Sequence, residues 1–172
     1  MTPLAALGAG STSDWDFVYQ RYLASTNPTQ KVAFLAVLGC SGEDWVLERY
    51  LAMSLTEESG VKKGDGYRVI SAVAGGTLGR YVAWNWIRQN WQLLRTYFDS
   101  GLSTRFKIII STVANDFNTD FDLKELEEFI EENEGNLGSV EATATQMVEL
   151  TRGNVGWMAR HYAEVVDWLE QH

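Results

Sequence analysis

Trp84-Asn85-Trp86-Ile87-Arg88-Gln89-Asn90-Trp91-Gln92-Leu93-Leu94-Arg95-Thr96-Tyr97-Phe98 sets Trp84, Ile87, Trp91, Leu94 and Phe98 at alternating steps of three and four residues. Side chains at that spacing share one face of a helix, because each residue turns the chain by about 100°. The stretch therefore predicts the strongest single helix of the chain. The two prolines, Pro3 and Pro28, lie far from it, and most of the remaining sequence carries the same period. Strands have little room, and the expected fold class is all-α.

Upstream, a first helix is expected from near Ser13 through Trp15, Phe17, Val18, Tyr22 and Leu23. Asn27-Pro28-Thr29-Gln30 then reads as a helix start, with Asn as N-cap, Pro at the first helical position and Gln three residues past the cap. Val32, Leu35, Ala36 and Gly39 continue it. Residues 41–44 restart the chain into a third helix carrying Leu47, Tyr50, Leu51 and Leu55, and residues 57–66 form a polar loop. A short helix with Tyr67, Ile70 and Val73 stops at Gly75-Gly76.

Downstream, Phe106, Ile109, Ile110 and Val113 mark a sixth helix. Leu123, Leu126 and Ile130 mark a seventh, with Asp122 and Glu125 as its capping pair. Residues 139–171 are long for one ordinary helix, and Gly153-Asn154 predicts a break into two. The sum is about eight or nine helices in one domain spanning 1–172. Short polar turns between them suggest antiparallel pairs stacked in sequence, an irregular superhelix of the HEAT or armadillo kind without a clean repeat period.

Composition narrows the partners. The 172 residues carry 14 Lys plus Arg against 23 Asp plus Glu, a net charge of -9, which repels nucleic acid and anionic lipid surfaces. Apolar residues at 45% are enough for a packed core. No uninterrupted apolar run approaches the ~18 residues that a membrane span needs, and residues 1–10 lack the basic start of a signal peptide. Asn27 is followed by proline, so no glycosylation sequon remains.

The chemistry-bearing residues are few. A zinc hydrolase of the His-Glu-x-x-His type needs two imidazoles one helical turn apart, and the only histidines, His161 and His172, are not so placed. Residues 115–120, Asn-Asp-Phe-Asn-Thr-Asp, lack the glycine and distal glutamate of a calcium loop. Cys40 follows an apolar segment and reads as small filler, while His161 shares a stripe with Trp157, Val165 and Trp168 and reads as a partly buried packing histidine. The acidic run Glu125, Glu127, Glu128, Glu131, Glu132 and Glu134 reads as a solvated face. Most of the seven tryptophans read as core. Residues 75–80, Gly-Gly-Thr-Leu-Gly-Arg, have neither the preceding strand nor the Gly-Lys-Ser/Thr ending of a phosphate loop, and read as a turn. No catalytic, cofactor-binding or metal-ligating residue is assigned, and substrate-binding residues stay unassigned.

An ordered set of segments carries a resemblance. It comprises Gly10 with Asp14-Trp15-Asp16-Phe17, residues 36–41 with Trp45 to Leu51, Leu78-Gly79-Arg80, Trp84-Asn85, Gln89-Asn90-Trp91, Gln146 with Glu149, Asn154-Val155-Gly156-Trp157 and Trp168-Leu169. Together they resemble, over essentially the whole chain, the C-terminal domain of the aminopeptidase N branch of the gluzincin aminopeptidases. The resemblance implies a helical domain packed on a thermolysin-like catalytic domain that supplies the zinc. The helical domain itself would be non-catalytic, enclosing the active-site cavity, limiting peptide access and in some members forming a homodimer contact. It implies a secreted or cell-surface parent enzyme that removes N-terminal residues from peptides. It also implies that an apolar strip, covered in the whole enzyme, lies exposed in this chain. Extracellular members often pair the cysteine at the Cys40 position with one near the place of Leu4, so this thiol is either unpaired or paired beyond these residues. The alternative expectation is a free-standing helical scaffold that binds another protein's helix or extended segment.

Overall fold

The computed structural model describes residues 12–99 and 101–172, and within them every regular element is helical. The Met1 to Gly10 segment, Leu4 included, lies outside the described residues. The chain divides into two compact units, Met1–Ile109 and Ile110–His172.

In the first unit, α1 (Thr12–Ala24) buries Trp15 and Tyr22, and α2 (Pro28–Leu38) buries Leu35 and Leu38. The cap at Asn27 forms as expected, its side chain accepting from the N–H groups of Thr29 and Gln30. Gln30 does not close a capping box: its Oε1 instead accepts from the Ser25 hydroxyl at 3.1 Å. Helix α3 (Asp44–Met53) buries Val46, Leu47, Tyr50 and Leu51, and ends before Leu55, which the sequence had placed inside it. Residues 57–66 contain two single turns of 3-10 helix, and the chain reverses at Gly60, whose φ of 74° suits glycine. The hydroxyls of Tyr19 and Tyr22 donate to the Ser59 and Gly60 carbonyls, which ties this loop to α1.

Helix α4 (Gly66–Ala74) and α5 (Thr77–Gln89) follow, and each helix packs on its neighbour or its next-but-one neighbour: α1 on α2, α2 on α4, α3 on α4 and α5, α4 on α5. At Gly79 an added Cβ would collide with the Val73 carbonyl oxygen, so α4 and α5 come this close only because position 79 has no side chain. The strongest periodic stretch proves to be two helices, α5 and α6 (Trp91–Phe98), divided at Asn90. The Asn90 side-chain amide and its own N–H both donate to the Trp86 carbonyl, at 2.9 and 3.0 Å, which terminates α5. Both halves still face one core, where the rings of Trp91 and Phe98 stand 5.1 and 5.7 Å from Phe106 of α7 (Ser103–Ala114). A bend that keeps the apolar side inward preserves the three-and-four spacing, so periodicity alone could not show it.

The second unit is built on α8 (Asp120–Glu132) and α9 (Glu141–Glu170). The cap of α8 is Thr119 with Asp122 at the third position, not Asp122 with Glu125. The expected break at Gly153-Asn154 is absent: α9 runs unbroken for 30 residues. Asn154 lies inside the helix because its amide donates outward to the Phe117 carbonyl at 2.9 Å, leaving no competition with its own backbone. Nine α-helices result among the described residues.

Continuity through Gly153 carries a prediction. An added Cβ there meets nothing within 4 Å and φ is not left-handed, so Gly153→Ala should stabilise the chain by about 1 kcal/mol through helix propensity alone. A lower denaturation midpoint in urea would show that the chain turns at this residue.

Candidate functional site

The motifs singled out in the sequence resolve mostly into structure. Residues 115–120 form the turn into α8: the Asn115 amide donates to Asp116, Phe117 is fully buried, and the Asn118 and Thr119 N–H groups donate to Asp122. Gly75 and Gly76 join α4 to α5, with Gly76 as the N-cap residue, and residues 77–80 form the first turn of α5. Of the seven tryptophans, Trp15, Trp84 and Trp91 are buried and Trp86 is half-buried, whereas Trp45, Trp157 and Trp168 are exposed. The reading of most as core therefore holds for the first unit and fails on α9.

Cys40 sits just past α2, half-buried, its Sγ 3.6 Å from the Ala36 carbonyl. Burial pushes its thiol above the ordinary range, which lowers the thiolate fraction at neutral pH. Alkylation by iodoacetamide should run several-fold slower than that of free cysteine at pH 7, and should still be climbing with pH where free cysteine has levelled off. A rate at pH 7 equal to or above that of free cysteine would contradict this placement. Cys40 and His161 belong to different units.

His161 is not the partly buried residue expected. It is exposed, its ring tilted against Trp157 at 5.7 Å between centroids and its Nδ1 3.9 Å from a Glu164 oxygen. The stripe expected around it does exist, but nothing in its own unit covers it: Trp157 is 47% exposed, Trp168 58% and Leu169 62%. Trp157, His161, Glu164, Val165 and Trp168 line a shallow depression of about 390 Å³.

A cleft of about 530 Å³ lies between α8 and α9. Ile130, Leu137 and Val148 give it an apolar floor, and the carboxylates of Glu127, Glu131, Glu134 and Glu141 stand at its mouth. Arg152 also lines it and pairs with Glu127 at 2.7 Å. The expected solvated acidic face of α8 is present, with Leu126 and Phe129 buried beneath it. Leu123 and Ile130, expected on the buried side, are both half-buried. The cleft exists only because α9 lies along α8, a pairing that no local signal in the sequence specifies. Among the described residues, no three His, Cys, Asp or Glu side chains gather in a way that could hold a metal ion, and no helix is long and apolar enough to cross a membrane.

Comparison with known proteins shows the family of the chain. Residues 2–152 match the ERAP1-like C-terminal domain. Aminopeptidase Ey of Gallus gallus is 33% identical over 96% of the chain, and aminopeptidase N of Bos taurus is 30% identical over 97%. The thyrotropin-releasing hormone-degrading ectoenzyme of Rattus norvegicus is 32% identical over 90% of the chain. The chain spans only 17% of the length of the first two relatives and 14% of the third. An all-helical chain matched from residue 2 to residue 152 by one family, and aligned almost end to end with these aminopeptidases, belongs to the ERAP1-like C-terminal domain family.

Proposed function

We propose that residues 1–172 act as one non-catalytic domain at the C-terminal end of a zinc metallo-aminopeptidase, packing on the catalytic domain, enclosing its active-site cavity and limiting which peptides reach it. The observation that carries this reading is the alignment itself: nearly all of this chain matches a small share of much longer aminopeptidases, and residues 2–152 match an ERAP1-like C-terminal domain. Helix pairs suit the task, because stacked helices form a wall whose stability is shared between neighbours and whose exposed face can be varied without rebuilding the core. The zinc belongs to the catalytic domain, whose His-Glu-x-x-His motif has no counterpart in this sequence. The peptide substrate meets this domain beyond its first residue, so specificity for that first residue is set elsewhere. A secreted or cell-surface parent fits the ectoenzyme among the relatives, and a homodimer contact through this domain is part of the same reading.

Two measurements test it. The purified chain with added zinc should release no product from an aminoacyl reporter, while the parent polypeptide should release it in a zinc-dependent way. Robust turnover by the 172-residue chain alone would overturn the reading. Removing this domain from the parent should also reduce discrimination between short and long peptides. Unchanged length preference in that truncated enzyme would exclude the cavity-enclosing role.

A further inference from the structure

Helix α9 has a continuous apolar face of which only the first part is used. At about 100° per residue, Trp157, Met158, Tyr162, Val165, Trp168 and Leu169 fall within roughly half the circumference. Arg160, Asp167 and Glu170 fall on the other half. The edge of the arc that carries Met158, Tyr162 and Leu169 continues the line through Ala144, Val148 and Thr151, where α9 packs along α8 and where Ala144 and Thr151 are fully buried. Past Thr151 that line goes on for about four more turns and turns to solvent, with Tyr162 at 56% and Leu169 at 62% exposure, and Trp168 at 58% widens the face beside it.

Such a face is unfavourable as an end state. Contiguous exposed aromatic and aliphatic side chains mark an interaction surface. An isolated helix of about 16 residues is only marginally stable in water, and most helical stability in proteins comes from packing an amphipathic face. In this part the large apolar side chains are gathered on one half of the helix and Arg160, Asp167 and Glu170 stand on the other, an arrangement that is stabilised when the apolar half is covered.

We infer that residues 155–169 of α9 form a docking seam for a helix of the same parent polypeptide lying outside these 172 residues. The inference rests on the proposed reading of the chain as part of a longer enzyme. Length supports that occupant: the aligned aminopeptidases N and Ey have most of their residues beyond the 17% matched here. Continuity supports it as well, because the seam prolongs the α8–α9 contact, so a covering helix would take the next place in the layer that α8 begins. One border of the arc, beside Trp157 and Trp168, carries the exposed Glu164. The complementary helix should therefore present an apolar stripe with a Lys or Arg along that one edge.

Hydrogen exchange read by mass spectrometry on the unmodified protein decides the matter. In the 172-residue chain alone, amides of residues 158–170 should exchange fast, at a rate independent of protein concentration. In the parent polypeptide the same amides should exchange about 100-fold more slowly or slower still, as expected when a locally opening segment joins a packed core. Equal exchange in both forms would overturn the inference. So would protection in the isolated chain that grows with concentration together with a dimer in sedimentation, because the cover would then be a second copy. Peptidase activity of the parent is scored separately, so a parent without zinc-dependent hydrolysis would refute the proposed function while leaving this result readable.

Discussion

Trp15→Ala is expected to destabilise the first unit by about 3–5 kcal/mol, the range for truncating a large buried aromatic residue. Trp15 is 2% exposed and sits where α1, α2 and α3 meet. Its indole N–H donates to the Leu38 carbonyl at 2.9 Å, one of the last-turn carbonyls of α2 that the helix itself cannot satisfy. Its ring meets Tyr50 edge-on at 5.5 Å and stacks on Tyr19 at 5.4 Å. The Arg49 guanidinium covers it at 4.5 Å from the centroid while pairing with Asp16 at 2.8 Å. Alanine removes the packing, opens a cavity and orphans the Leu38 oxygen together. Trp15→Phe separates these effects in part, since it keeps a buried aromatic ring while losing the donor and the pyrrole half of the indole, and should cost about 1–2 kcal/mol. Urea denaturation of both variants checks the expectation, and a Trp15→Phe loss as large as that of Trp15→Ala would show that the hydrogen bond rather than the packing dominates.

The same neighbourhood bears on alkaline stability. Tyr50 is fully buried and donates to the Leu35 carbonyl at 2.9 Å, and burial, followed by the nearby Tyr22 and Tyr19, pushes its phenol well above the ordinary value. The folded state thus holds that proton more tightly than the unfolded chain does. Its stabilising effect is complete below about pH 10, the unfolded tyrosine value, and is lost progressively as pH rises beyond it.

How much of this was legible beforehand depends on what kind of force sets each feature. The Asn27-Pro28 start of α2 and the stop at Gly75-Gly76 follow from local backbone chemistry, and both were readable. The division at Asn90 was not, because Trp84, Ile87, Trp91, Leu94 and Phe98 keep their spacing whether the helix is straight or bent. At Gly153-Asn154 the local signal pointed the wrong way: glycine weakens a helix and asparagine favours caps, yet the contact of Asn154 with the Phe117 carbonyl, 37 residues away, overrides both preferences. His161 shows a third kind of failure. Its stripe is apolar, and apolarity alone suggests burial. Amphipathicity says that a face needs a partner, not that the partner lies in the same chain. The expectation of an exposed apolar strip, drawn from family resemblance, found the surface that periodicity had assigned to the core.

Asp122→Ala should cost the second unit about 2–3 kcal/mol, the sum of a lost cap and of buried donors left without an acceptor. One Asp122 oxygen accepts from both the Asn118 and Thr119 N–H groups at 3.1 Å, while the Asp122 N–H donates to the Thr119 hydroxyl at 3.1 Å, and the residue is 3% exposed. Asp122→Asn retains a carbonyl oxygen for those donors but gives up the negative charge at the helix start, so its loss should be smaller, about 1 kcal/mol. Because the two halves of the capping box depend on each other, Thr119→Ala combined with Asp122→Ala should lose less than the two single losses added together. The consequence extends to α9. The turn that this cap organises presents the Phe117 carbonyl to Asn154, and that bond fixes the middle of α9 just before its uncovered apolar face begins. Loosening the cap should therefore speed amide exchange around residues 151–158 as well as in α8. If Asp122→Ala instead shifts stability by less than about 0.5 kcal/mol, the turn is held by Phe117 packing alone, and the cap has no part in positioning the seam.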